Sequence, residues 1–389
     1  MKPIETQKQN LMKIAYAMIN CNRRDGSARA VNEVAERLAK KHEVHLYARK
    51  AEDLDLSRIS WHRVPGVNWA EVIDFGSYYL EVNRRVRPGQ FDIVHTIGCN
   101  TQRGNVITIQ NIQPAKKQIL DRLGRTENVS PARRLTRWMY LNATCAAEKR
   151  LYQHREGNKP PLFLPVSRGV AAELQKHYDI GPAKVRIVPN AADTARFKPL
   201  TDEARRIWRT KNNVPQDRVM AIFAGGKGLD FAIQAMGHLK DVPLTLYVAG
   251  DDPDRSRFTQ MARDAGAADH IIFGGFRKDM PEALGAADFF LFPSWYEAFS
   301  LATIEAAACG LPVVATRING TEDFISPGEN GDFIEHNAEQ VATVLRRLCA
   351  QPQNLKTMGA NARERVELNY TWDRIAQMTE AAYQETLTR

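Results

Sequence analysis

The chain has 389 residues, 43% of them hydrophobic, which supplies cores for two ordinary domains and argues against a single small module. Its five cysteines, Cys21, Cys99, Cys145, Cys309 and Cys349, are odd in number and scattered, so a disulfide framework and a structural zinc site are not expected. Most of the net charge of +9 lies between Asn111 and Pro160, where Lys116, Lys117, Arg122, Arg125, Arg133, Arg134, Arg137, Lys149, Arg150, Arg155 and Lys159 face only Asp121, Glu127, Glu148 and Glu156.

Such a window is either a solvated face or an attraction for something anionic, a membrane surface or a phosphorylated acceptor. Nucleic acid fits poorly, because no finger or recognition-helix signature accompanies the charges. The polar start MKPIETQKQNLMK, and the lack of eighteen consecutive apolar residues, predict neither a signal peptide nor a membrane span. The expected location is cytoplasmic, with the basic window able to hold the protein peripherally at the inner membrane face.

Along the chain, strands are predicted at KIAYAMI around Ile14, EVHLYA around Val44, FDIVHTI around Ile93, NVITIQ around Ile107 and PLFLPV around Phe163. After the first of them RAVNEVAERLAKK has a helical period, with Val31, Val34, Ala35 and Leu38 on one side. A strand VRIVPN precedes a polar stretch around Pro199, where a domain break is expected. A second series, VMAIFAG, LTLYVAG, HIIFGG, DFFLFP and LPVVAT, alternates with helical runs such as FAIQAMGHL and VATVLRRL. Two βα series predict two parallel-sheet domains, residues 1–195 and 196–370. Residues 371–389 read as a helix with Trp372, Ile375, Met378, Ala382 and Tyr383 on one apolar side, placed to brace the domain junction.

The chemistry concentrates in YEAFSLATIEAAACGLPVVA, residues 296–315. Ser300 is a plausible N-cap of a helix that runs through Leu301, Ile304 and Ala308 until Gly310 and Pro312 stop it. Glu297 then lies in the loop before the helix and Glu305 inside it, and both can face the carboxyl ends of the strands, where open α/β sheets bind ligands. The amides of Phe299, Ser300 and Leu301 at the helix start suit a phosphate. Carboxylates beside a phosphate pocket need hydroxyl-rich partners, so a sugar on one side and a ribose on the other would use one acceptor each. Spacing alone leaves open a plainer reading, with Glu297 a solvated loop residue and Glu305 a charge on the helix surface.

Two loops add phosphate-binding equipment. In FAGGKGLDFAIQAM, Gly225, Gly226 and Gly228 surround Lys227 between a strand and a helix. Glycines permit close backbone approach, and the lysine offers a compact positive charge. No Ser or Thr follows Gly-Lys, so it is not a Walker loop. In NRRDGSARAVNEVAERL, Gly26 and Ser27 precede a helix at another strand's carboxyl end. Loops of this kind in two domains make sense if they meet across a cleft.

FPSWYEAFSLATIEAAACGLPVVATRINGTEDFI resembles the signature of the retaining glycosyltransferases of family 4, whose GT-B fold has two Rossmann-like domains facing across a cleft. DGSARAVNEVAERLAKKHEVHLYA, FDIVHTIG, PVSRGVAAELQKHY, VRIVPNAADTARFKP, KGLDFAIQAM, LYVAGDD, IIFGGF and YTWDRIAQM follow the same family in the same order, over nearly the whole chain. The resemblance implies that Glu297 lies against the donor sugar and its reacting centre, and that Glu305 holds the nucleotide ribose. It makes Lys227 the neutraliser of the donor diphosphate and Gly26 the phosphate-facing glycine of the first domain. The acceptor side then falls to the first domain and the donor side to the second.

Three departures accompany the resemblance. The GGKG loop is shorter than usual, the usual Asn-Gly after VRIVP is Asn190-Ala191, and a sugar-contacting histidine is replaced by Gln110. Glutamine can hydrogen-bond a hydroxyl but cannot act as a general base. In a retaining enzyme of this type the departing phosphate oxygen accepts the proton, so Gln110 and Asn190 are assigned to sugar or acceptor positioning. The expected reaction moves a sugar from a nucleotide diphosphate sugar, preferably a UDP-sugar, to a glycan, lipid-linked or small-molecule acceptor. The nucleotide sugar is a substrate, and neither a cofactor nor a metal is expected. Asp252-Pro253-Asp254 has the pattern of a metal-holding Asp-x-Asp but reads as a solvated turn. A noncatalytic nucleotide-sugar binding protein and a glycoside hydrolase using both glutamates are the alternatives.

Overall fold

The structure is a computed structural model that describes residues 11–389 apart from 68, 123–129, 154–159, 226 and 251–253. It divides into two compact units: unit 1 is Met1–Val188 with Ile375–Arg389, and unit 2 is Pro189–Arg374.

Unit 1 contains strands β1 Lys13–Ala17, β2 Asn20–Cys21, β3 Glu43–Ala48, β4 Lys50–Ala51, β5 Ile59–Arg63, β6 Ile93–Ile97, β7 Val106–Ile109 and β8 Leu162–Pro165. Six of them form one sheet in the order β5-β3-β1-β6-β7-β8, while β2 and β4 pair with each other. Unit 2 contains β9 Val219–Ala224, β10 Leu244–Ala249, β11 Ile271–Gly275, β12 Phe289–Phe292, β13 Val313–Thr316 and β14 Gly331–Ile334, in the order β11-β10-β9-β12-β13-β14. Every pairing in both sheets is parallel.

Leaving out β2 and β4, each sheet reads third, second, first, fourth, fifth, sixth, the doubly wound order of a Rossmann fold. The chain crosses one way over the sheet and then the other, opening a crevice where the strand order reverses. In unit 2 that crevice lies beyond the ends of β9 and β12, and in unit 1 beyond those of β1 and β6. The central strands are apolar and buried on both faces, as FFLF of β12 and VVAT of β13 illustrate.

Both sheets gain a strand the periodicity did not predict. In β5 only Ile59 is buried, and β14 begins with Gly331 and Asp332. Both are edge strands, where burial on two faces is not required. VRIVP, in contrast, is not a strand. It runs extended beside β8, with Arg186 N–H donating to Phe163 O at 2.9 Å and Val188 N–H to Pro165 O at 3.0 Å.

The final helix, Trp372–Thr388, buries Trp372, Ile375, Ala382 and Tyr383 as its pattern predicts, and leaves Met378 half-buried. Its part from Ile375 onward packs within unit 1. The Tyr383 hydroxyl lies 2.7 Å from the Tyr16 hydroxyl and 2.6 Å from His95 Nδ1, and His95 Nε2 lies 2.7 Å from Thr108 Oγ1. Burial holds the His95 imidazole down to about 3, so it bonds as the neutral ring. Glu380 meets His42 at 3.1 Å and Lys41 at 3.2 Å, and Glu385 takes the Arg186 guanidinium through two contacts of 2.9 and 2.8 Å.

Candidate active site

At the crevice of unit 2, Gly225, with φ +106°, follows β9, and Gly228, with φ +84°, precedes the helix Leu229–Gly237. A Cβ on Gly228 would overlap the Pro293 carbonyl, so only glycine lets this turn lie against the chain leaving β12. Gly226 lies outside the described residues. Gly320, with φ +84°, supports the next loop in the same way, since a Cβ there would meet Phe299 Cα at 2.8 Å.

The two turns bring together side chains far apart in sequence. Lys227 Nζ lies 2.8 Å from Glu297 Oε1 and 3.5 Å from the Tyr296 carbonyl oxygen. The residues assigned to the donor phosphates and to the donor sugar therefore form an ion pair. Both side chains keep access to solvent, at 48% and 29% of their full exposure. Such a pair is worth only about 0–1 kcal/mol, so a ligand phosphate can take over the lysine at little cost.

Ser300 caps the helix Leu301–Ala308, its Oγ accepting from Thr303 N–H at 3.3 Å. Among the described residues the N–H groups of Phe299, Ser300 and Leu301 donate to no protein acceptor, the usual condition of a helix start and the one an anion satisfies. Inside the helix Glu305 is 8% exposed, which overturns the reading of a charge on the helix surface. Burial first, and then the Glu305 charge, push the Cys309 thiol up to about 12. Gly310, with φ +79°, follows the helix, as its stop signal predicts.

Asn190 is buried, and its Nδ2 donates to the Phe299 carbonyl at 2.8 Å, so it ties the start of unit 2 to the loop before the capped helix. An aromatic group at the same loop escaped the sequence reading. Trp295 stacks on His336 with ring centroids 3.7 Å apart and planes 14° apart, and Phe231 packs on both at 5.2 and 5.3 Å. His336 Nε2 lies 3.3 Å from the Ser294 carbonyl oxygen, to which Thr316 Oγ1 donates at 2.6 Å. Burial holds His336 below its ordinary value. These residues come from separate segments, and no spacing within one segment could have revealed them.

In unit 1 the structure makes Gly26 the first residue of the helix Gly26–Leu38, with Ser27 half-buried in its first turn. The approach is shaped by Asn22, whose Oδ1 accepts from Arg24 and Asp25 N–H at 2.8 and 2.9 Å. Gln110 follows β7, two strands along the sheet from β1 and at the same carboxyl end. Asp252 and Pro253 lie outside the described residues, and Asp254 is the residue before the helix Arg255–Asp264.

The family described as "Glycosyl transferases group 1" matches residues 204–365. D-inositol 3-phosphate glycosyltransferase of Streptomyces bingchenggensis is 30% identical over 56% of this chain and 51% of its own length. Lipopolysaccharide glucosyltransferase WaaG of Escherichia coli is 28% identical over 54% of this chain and 58% of its own. The chain thus spans about half the length of the curated relatives it matches. Among solved structures, that of WaaG, a glycosyltransferase involved in lipopolysaccharide biosynthesis, superposes with a TM-score of 0.75 at 24% identity over 95% of this chain and 98% of its own. Anabaena HepE in complex with UDP-glucose superposes with a TM-score of 0.71 at 17% identity, over 97% and 99%. The chain has the GT-B fold of these proteins and is related, through its second unit, to the group 1 glycosyl transferases.

Proposed function

We propose that the protein is a retaining glycosyltransferase that binds a nucleotide diphosphate sugar at the crevice of unit 2 and transfers the sugar to a hydroxyl. The observation that carries this reading is the Lys227–Glu297 pair, set in the loop that leads into the capped helix holding Glu305. Lys227 and the amides at the helix start neutralise the diphosphate, which frees Glu297 to face the sugar, while Glu305 accepts from the ribose hydroxyls. The sugar C1–phosphate oxygen bond breaks as the bond from C1 to the acceptor oxygen forms on the same face. The acceptor proton passes to the departing phosphate oxygen, so no basic side chain is needed at Gln110. The charges that other enzymes manage with a metal are met by Lys227 and the helix start, and turnover is independent of divalent ions.

UDP-sugars are the preferred donors, a choice supported by the UDP-glucose complex of HepE, which shares the fold. The acceptor is a glycan, a lipid-linked glycan or a small hydroxyl compound, positioned by unit 1. Its helix Pro131–Gln153 exposes Leu135, Trp138 and Met139 at 57%, 58% and 43%, on the same stretch as Arg133, Arg134 and Arg137. That combination suits a protein that works at an anionic membrane surface. Among the described residues no helix is long and apolar enough to cross a membrane.

The test is a panel of nucleotide sugars scored by the rise in melting temperature, followed by turnover of the best one in chelator and by the anomeric configuration of the product. A UDP-sugar that stabilises the protein and gives a product of retained configuration is the expected result. Stabilisation without product in the presence of a cell lipid and glycan extract would make it a binding protein. Strict dependence on magnesium or manganese would remove the proposed role of Lys227.

A further inference from the structure

Unit 1 has a second cavity, at the end of its sheet opposite the crevice. It is open, encloses about 1180 Å³, and lies where β6 and β7 begin and where the helix Pro131–Gln153 ends. Its apolar floor includes Phe91 and Leu151, both buried. Around it stand Arg87, Arg103, Lys149 and Arg150, all exposed, and no carboxylate is among its described lining residues. Elsewhere in unit 1 some surface cations have a carboxylate partner: Arg23 meets Glu33 at 2.9 Å, Arg84 meets Glu81 at 2.7 Å and Arg186 meets Glu385 at 2.8 Å. The four cations make no ion pair among the described residues, although they come from three separate stretches of chain.

The helix end accounts for only part of this. Lys149 and Arg150 favour the carbonyl end of their own helix, but Arg87 and Arg103 belong to other segments and gain nothing from its dipole. Four like charges around one concave surface repel one another and focus a positive potential within it. An anion relieves that repulsion, and three guanidinium groups offer paired donors matched to phosphate oxygens. One phosphate cannot span a cavity of this size, whereas several on one molecule can engage all three chain segments while the carbon skeleton rests on Phe91 and Leu151.

We propose that this cavity is a binding site for clustered phosphates, separate from the donor site in unit 2. The phosphates belong to a soluble multiply phosphorylated molecule or to a lipid headgroup. Titration with tripolyphosphate at about 0.15 M salt compares the wild type, K227Q and R87Q/R103Q/K149Q/R150Q. The wild type and K227Q bind it. The fourfold variant binds about ten-fold or more weakly, with its circular dichroism and nucleotide-sugar turnover unchanged. Phosphatidate vesicles identify the source: if the fourfold variant also loses them the phosphates are on lipid, and if vesicle binding is unaffected they are on a soluble molecule. Should the fourfold variant fold poorly, R103Q/K149Q replaces it. Wild-type affinity in the fourfold variant, or in R103Q/K149Q where that replaces it, loss of binding in K227Q alone, or equal affinity for inorganic phosphate would overturn the proposal.

Discussion

In unit 2 the loops that follow β9 and β12 turn tightly, and their close approach at Gly228 and Pro293 leaves Lys227 and Glu297 one place to meet. In unit 1 the corresponding chain after β1 first forms the two-residue strand β2, then a turn held by Asn22, and only then enters its helix at Gly26. The strand order is the same in both units, so topology supplies each with a crevice. A short loop fixes the direction of its side chains, and a longer one leaves that to packing against other segments.

The comparison breaks most severely if Glu297 is not the residue that faces the reaction. Glu297→Ala should lower kcat by on the order of 10² to 10³. The affinity for free nucleotide should hold or rise, because Lys227 loses its competing carboxylate and is left for phosphate. Wild-type kcat in this variant, or a loss confined to nucleotide affinity, would move the reacting centre away from the crevice of unit 2.

Each unit also buries a glutamate on a helix, and the two should respond differently to substitution. Glu148 in unit 1 is 1% exposed, and its Oε2 accepts from Tyr178 Oη at 2.8 Å and from Gln113 N–H at 3.0 Å. Burial outweighs these donors and raises the carboxyl to about 7. The unfolded chain therefore gives up this proton near pH 4.5, before the folded one does. Stability falls as pH rises from about 4.5 to about 7 and is level beyond, by at most about 3 kcal/mol. Urea unfolding at both ends of that window should show a fall in the wild type that Glu148→Gln lacks. Identical profiles would mean that the buried carboxyl carries no such cost.

Much of unit 2 was legible because its signals are local. Ser300 as a cap, Gly310 as a stop and glycines around Lys227 each act on the next few residues, and the structure places the helix Leu301–Ala308 between the expected signals. The Lys227–Glu297 pair was not legible, since the partners are 70 residues apart and only the crossing at Gly228 joins them. The edge strands β5 and β14 escaped because an edge does not need continuous apolar residues. VRIVP looked like a strand for the opposite reason: its apolar alternation is real, but Val185 and its neighbours pair only partially with β8. In unit 1 the terminal helix was recognisable by its apolar side, while the hydrogen-bonded chain from Tyr16 through Tyr383 and His95 to Thr108 was not.

The exposed face of unit 1 can be tested by changing charge alone. Arg133, Arg134 and Arg137 replaced together by glutamine should weaken sedimentation with anionic vesicles by about 2 to 3 kcal/mol, at roughly 1 kcal/mol for each charge near the surface. Binding should fade with added salt in the wild type, and leave the apolar contact of Leu135, Trp138 and Met139 as the remainder. Equal binding to neutral and anionic vesicles, or binding to neither, would favour a small soluble acceptor.

In unit 2, Glu305→Ala should weaken the nucleotide sugar and the free nucleotide together, by about 2 kcal/mol or some thirty-fold. A ribose partner predicts equal losses for both ligands. A loss confined to the nucleotide sugar would put Glu305 beside the transferred sugar instead.

The smallest effect separates positioning from contact at the same crevice. Asn190 Nδ2 holds the Phe299 carbonyl, so Asn190→Ala leaves that oxygen without this donor and loosens the start of the capped helix, at about 1 kcal/mol. If Asn190 acts only by holding the loop, nucleotide affinity and melting temperature should fall a little while kcat stays within about twofold of wild type. If it also touches the sugar in the transition state, kcat should fall and affinity should not. Asn190→Asp separates the two further, because a carboxylate cannot donate to the Phe299 carbonyl yet can still accept from a sugar hydroxyl. Rescue of kcat by aspartate would assign Asn190 to the sugar. Equal behaviour of the two variants in melting temperature and nucleotide affinity, with kcat intact in both, would assign it to the loop.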